Sequence, residues 1–141
     1  MRKLFAGLLL LAMAVPALGA GLAVSNAWIR LLPGDLPLAG YLHLVNTSGH
    51  DLTLVSADSP DFNQVMFHRS MRRDGMDQMI HLDRITLPKG GELTFAPGGY
   101  HLMLMGRRHP LARGQHVKIT LHFQDGGAQT VEFVVRGASE A

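Results

Sequence analysis

From about position 22 onward, apolar residues recur at every second position in short runs, and the runs are separated by Gly, Pro, Asn and Asp. A period of two places alternate side chains on opposite faces of an extended chain, the signature of a half-buried strand. The clearest case is His116 to Gln124, where Val117, Ile119, Leu121 and Phe123 alternate with His116, Lys118, Thr120 and His122. Asp125-Gly126-Gly127 then turns the chain into a partner, Thr130 to Arg136, with Val131, Phe133 and Val135 on its apolar side; this predicts a C-terminal hairpin. Further strands are expected over 22–31, 38–46, 52–57, 65–70, 79–87, 91–95 and 101–105, and no window carries a helical period. The intervening segments "LPGDLP", "NTSGHD", "SPDF", "RDG", "PKGG" and "PGG" are turn chemistry, too short for the crossover helices of a parallel sheet. The expected fold is all-β, an immunoglobulin-like antiparallel β-sandwich with Greek-key connections. Neither glycine pair, Gly90-Gly91 or Gly98-Gly99, belongs to a full phosphate-loop pattern.

The first twenty residues break the pattern. Arg2 and Lys3 precede an apolar run from Leu4 to Val15, followed by Pro16-Ala17-Leu18-Gly19 with small residues at cleavage positions. This reads as a secretory signal peptide over 1–20, leaving one domain over 21–141 and placing the protein outside the cytoplasm. Without Arg2 and Lys3, the 13 basic residues become 11 and balance the 11 acidic ones. No cationic field remains for nucleic acid. The chain has no cysteine, which excludes disulfides, thiolate metal cages and a blue-copper centre.

Chemistry enters with methionine and histidine. Six of the eight methionines (Met66, Met71, Met76, Met79, Met103 and Met105) fall between positions 66 and 105, together with His68, His81 and His101. Core filling by flexible methionine would scatter these residues over all the strands. In 101–105, His101, Met103 and Met105 share one face and Leu102 and Leu104 the other. His101 and Met103 leave their face about 7 Å apart at the backbone, within reach of one ion. A tight turn at Asp74-Gly75 would pair Ser70 with Met79 and His68 with His81. His68 and Met79 then become diagonal neighbours. The candidate metal ligands are therefore His68, Met79, His101 and Met103, with Met105 open as a third thioether or a hydrophobic lid and His81 as a rival ligand or a surface histidine. Two imidazoles and two neutral thioethers suit copper, above all soft Cu(I), and suit magnesium, calcium or zinc poorly. Neutral ligands leave the ion's charge uncompensated, which favours reversible carriage over tight storage.

The spacing His68, ten residues, Met79, twenty-one residues, His101, one residue, Met103 resembles the signature of the PCu(A)C family of periplasmic copper chaperones, His-x10-Met-x21-His-x-Met. "NAWIRLLPG" at 26–34 and "PGGYHLMLMGRRHPLARG" at 97–114 are similar to the family's flanking stretches, and the likeness runs from about Val24 to Val135. The resemblance implies a cupredoxin-like sandwich, Cu(I) held near the surface by those four residues, and no enzymatic activity. It also implies copper supply to the CuA centre in subunit II of cytochrome c oxidase, alongside Sco-type proteins. Two departures stand out: Met66 and Arg69 flank the first histidine where members often carry acids, and "RGASEA" lacks the His/Met-rich extension of some members. The competing readings are a periplasmic copper buffer with the same ligands, a copper-dependent oxidase, and an adhesive module. An oxidase would want open positions and harder ligands, and no catalytic signature orders the Ser, His and Asp residues. Trp28 is expected to anchor the core or an edge, and the other histidines to sit solvated on polar faces or turns.

Overall fold

The computed structural model describes residues 21–140. The expected signal peptide, residues 1–20, lies outside the described residues. Ten strands follow in chain order: β1 (Leu22–Leu31), β2 (Leu38–Asn46), β3 (Leu52–Asp58), β4 (Phe62–Arg73), β5 (Met76–Leu82), β6 (Ile85–Leu87), β7 (Glu92–Phe95), β8 (Tyr100–Arg107), β9 (His116–Phe123) and β10 (Ala128–Gly137). Among the described residues the helical content is one 3-10 turn, Ala138–Glu140. No helix there is long and apolar enough to cross a membrane.

The strands pair in the order β5-β4-β8-β7-β2-β1-β10-β9-β3-β6, with β8 also pairing β2. A further β3–β4 bridge, Ala57 opposite Val65, closes the array on itself. The result is a flattened barrel, an all-β sandwich with its two layers joined through shared strands. Pairing is antiparallel except where β1 runs parallel to β10 and where β7 touches β8. Alternation decides the core: Ile29, Leu38, Leu44, Leu102, Val117, Ile119 and Phe133 are fully enclosed, each from the apolar face of its strand. Each such side chain contributes about 1.5–3 kcal/mol by leaving water. The C-terminal hairpin forms as expected, with Thr130 opposite Thr120 and Phe133 opposite Val117.

Two expected strand boundaries are corrected. The run 79–87 is two strands, broken at Asp83-Arg84: β5 pairs with β4, and β6 pairs with β3 at the other end of the order. An apolar pattern that continues through a change of partner cannot show where the chain leaves one neighbour for another. β4 is twelve residues long where six were expected, because Asn63 and Gln64 interrupt its apolar run and Met71 to Arg73 continue past it as a hairpin arm. That longer β4 is the backbone of the site.

Candidate metal centre

Asp74 and Gly75 take positive φ values of 52° and 75°, the pair of left-handed conformations that a two-residue type I′ hairpin turn requires. The turn fixes the β4–β5 register, so that His68 faces His81, Ser70 faces Met79 and Arg72 faces Asp77. On its other side β4 pairs with β8, setting His68 opposite His101, Met66 opposite Met103 and Gln64 opposite Met105. The two halves expected separately from the sequence thus share one sheet, and β4 lies between them. Val65 and Phe67 on β4, with Leu102 and Leu104 on β8, point into the core. Met66, His68, Met79, His101, Met103 and Met105 all stand on the opposite, outward face.

Three imidazoles form a row across this face. The ring centres of His81 and His68 are 5.5 Å apart, and those of His68 and His101 are 5.6 Å apart, both edge to face. Met79 lies diagonally from His68 on β5, and Met103 lies diagonally from it on β8. Such diagonals span about 7–8 Å between backbones, a gap that long side chains close. His101 is 5% exposed, and its Nδ1 lies 3.4 Å from the Gly99 carbonyl, a long contact that orients the ring with Nε2 turned away from that carbonyl. His68 Nδ1 is buried and has no hydrogen-bond partner. A buried ring nitrogen left unmatched is costly, and once unprotonated it is open to a bound cation.

Electrostatics favour the neutral, ligating form of both rings. Burial pushes the His68 pKa down, and the neighbouring His101 and His81 push it further. Burial also lowers His101, partly opposed by the Gly99 carbonyl. Among the described residues, no three His, Cys, Asp or Glu side chains converge on a metal position. A site of hard oxygen and nitrogen donors is therefore not what this face offers; two imidazoles flanked by thioethers are. Met79 is 53% exposed on the edge strand, beside a shallow hollow of about 340 Å³ between Ser70, Met71 and Gly98.

The comparisons fit this architecture. The family described as "Putative lipoprotein LpqE-like" matches residues 22–135, nearly all of the ten-stranded domain. The chain belongs to this LpqE-like, PCuAC-type family. The chain is similar to "Putative lipoprotein Lxx21020" of Leifsonia xyli subsp. xyli, 33% identical over 122 residues, 86% of this chain and 73% of that protein. The copper-bound PCuAC domain from PmoF2 superposes with a TM-score of 0.70 at 27% identity, over 84% of this chain and 95% of that domain. Cu(I)-bound DR1885 of Deinococcus radiodurans gives a TM-score of 0.65 at 32% identity, over 89% of this chain and 81% of that protein. The cupredoxin-like fold expected from the resemblance is the one observed.

Two features of this PCuAC-type domain were not foreseen. Trp28 and Tyr41 pack at 4.8 Å between ring centres, with the Arg30 guanidinium 5.7 Å from each ring and Arg136 5.3 Å from Trp28. Tyr41 continues the β2 face on which Ala39 stands opposite Met103, so this stack braces the sheet beside the candidate site. "AWIR" at 27–30 was the signal, but only the β1–β2 register shows Tyr41 as its partner. Second, several histidines expected to be merely solvated pair with carboxylates: His109 with Asp61, His122 with Asp58, and His116 with Glu132 at 2.9 Å. The Asp61 carboxylate and the Pro110 carbonyl raise the His109 pKa.

Proposed function

We propose that this protein is an exported Cu(I) metallochaperone whose mature domain, from residue 21, binds one copper ion through His68, Met79, His101 and Met103. The single observation that carries the proposal is the direct pairing of His68 with His101 on adjacent strands, with His68 Nδ1 buried and unmatched. Copper is the cargo that the donor set suits. Thioether sulfur prefers the soft cuprous ion, and imidazole accompanies it well. Support comes from the copper-bound PCuAC structures named above, one of them a Cu(I) form.

The four residues divide the work. His101, enclosed and oriented by Gly99, is the fixed ligand, while His68 sits at the centre of the sheet between both strands that supply thioethers. Depressed pKa values keep both rings unprotonated at neutral pH. Met79, half exposed on the edge strand, is the ligand that an incoming acceptor can displace first. Without an anionic donor the ion is held by neutral groups alone, which suits transfer to a stronger site and gives no built substrate position for an enzyme.

On the family resemblance we propose the periplasm as the compartment and the CuA centre of cytochrome c oxidase subunit II as the acceptor, with Sco-type proteins as co-workers. The test is a two-stage experiment on Cu(I)-loaded protein kept under nitrogen. Competition against a chromophoric chelator should reveal one equivalent, and mixing with an apo CuA domain should move that equivalent across. Binding without transfer to any CuA acceptor would instead make the protein a copper buffer, and no competition with the chelator would overturn the proposal.

A further inference from the structure

Two thioethers beside Met103 on the outward face, Met66 and Met105, have no role in the four-residue set. Met66 stands directly opposite Met103 across the β4–β8 pair, and Met105 follows Met103 by two residues on the same face. All three are partly buried, neither sealed in the core nor free in solvent. Side chains directly opposite in an antiparallel pair have Cβ atoms about 4.5–5.5 Å apart, and same-face residues along a strand lie about 7 Å apart. Three flexible thioethers therefore meet over a span that one ion can bridge. Their immediate neighbours in register are Ala39, opposite Met103 on β2, and Gln64, opposite Met105 on β4. Ala39 leaves the space above Met103 open, and Gln64 is neutral.

We infer that Met66, Met103 and Met105 form a second, weaker position for a soft monovalent cation, a thioether shelf that shares Met103 with the principal site. The inference rests on the proposed function in one respect: the shelf adjoins that site and takes the same ion. The donor set decides the ligand class. Three uncharged sulfur atoms neither desolvate a hard divalent ion well nor neutralise it, and Asp83, just past the end of β5 on the Met66 side, is turned to His81 Nε2 at 3.2 Å, whereas Cu(I) and its analogue Ag(I) bind thioether readily. Sharing Met103 gives a stepwise path off the histidines. One Cu–S bond, to Met103, persists while the Cu–N bonds to His68 and His101 and the Cu–S bond to Met79 break and Cu–S bonds to Met66 and Met105 form, so the ion passes from four ligands to three and its oxidation state does not change. The path runs along β8, away from the Met79 edge, so the ion has two exits from one centre.

The test is a titration of the full protein, carrying methionine labelled with carbon-13 at its methyl groups, with Ag(I), the methyl signals being assigned by single Met→Leu variants. The first equivalent should shift the Met79 and Met103 methyls together with the ring signals of His68 and His101. A second equivalent should shift the Met66 and Met105 methyls. Met66→Leu and Met105→Leu, close in volume and suited to half-buried positions, should each weaken the second equivalent by about tenfold or more, the scale on which single supporting groups alter metal affinity. The first equivalent should be left intact. Met66 and Met105 signals that stay still through both equivalents, or a second equivalent that survives the double variant, would overturn the shelf. Shifts at Met66 and Met105 with none at Met79 or the histidine rings would count against the four-residue site and leave the shelf standing.

Discussion

At the residue scale, the account turns on two histidines that differ in surroundings. His101 is nearly sealed and tethered to Gly99, while His68 has a buried nitrogen with nothing to bond. Replacing His101 by Ala should lower Cu(I) affinity by at least about tenfold, and Met103→Leu, which removes the sulfur and keeps the volume, should do the same without loss of thermal stability. A chelator competition on both variants checks this. The pH dependence has a definite sign. Protons compete with copper for imidazole, and burial holds both rings below the ordinary 6.5. Affinity should therefore fall as pH drops, with the fall setting in at more acid pH than for a free histidine. An affinity that is flat down to pH 4 would exclude imidazole ligation.

At the scale of elements, β4 governs the proposed site because it alone touches both neighbours that carry its candidate ligands. Its register with β5 is set by the Asp74-Gly75 turn, whose left-handed φ at Gly75 an alanine adopts only at a cost of about 1–2 kcal/mol. Gly75→Ala should loosen the hairpin, shift Met79 relative to His68 and reduce Cu(I) uptake, while the far-off β9–β10 core keeps its amide protection in hydrogen exchange. Loss of protection throughout would mean that the hairpin is part of the global fold. This register was legible in the sequence, because a two-residue turn makes pairing a matter of counting from Asp74-Gly75. The β4–β8 register was not. It joins residues more than thirty positions apart through Met66–Met103 and His68–His101, and strand periodicity gives faces but no partners. The same limit hid the break between β5 and β6 and the Trp28–Tyr41 stack, both of which depend on which strand lies alongside.

At the scale of the whole molecule, a closed all-β core without disulfides carries the histidine and methionine face proposed to bind copper on its outside. The core itself was legible, since the alternation of Val117, Ile119 and Phe133 or of Leu102 and Leu104 follows burial directly. Copper bound only to the folded state should raise stability by mass action, about 4 kcal/mol when free ion exceeds the dissociation constant a thousandfold. A calorimetric scan should show a higher Tm with Cu(I) in the native protein and a much smaller rise in His101→Ala. The metal-free form should respond to acid as well. His68 and His101 bind protons less readily when folded, so stability is full above about pH 6.5 and declines as pH falls through their depressed values. His109 acts in the opposite sense: its raised pKa adds stability below pH 6.5 that fades as pH rises through the folded value. The most direct test of the central claim is X-ray absorption at the copper edge on protein loaded with one equivalent of Cu(I) under nitrogen. The account predicts a cuprous edge and a first shell of two sulfur and two nitrogen scatterers, with one sulfur lost in Met103→Leu. A shell of nitrogen and oxygen alone would contradict it.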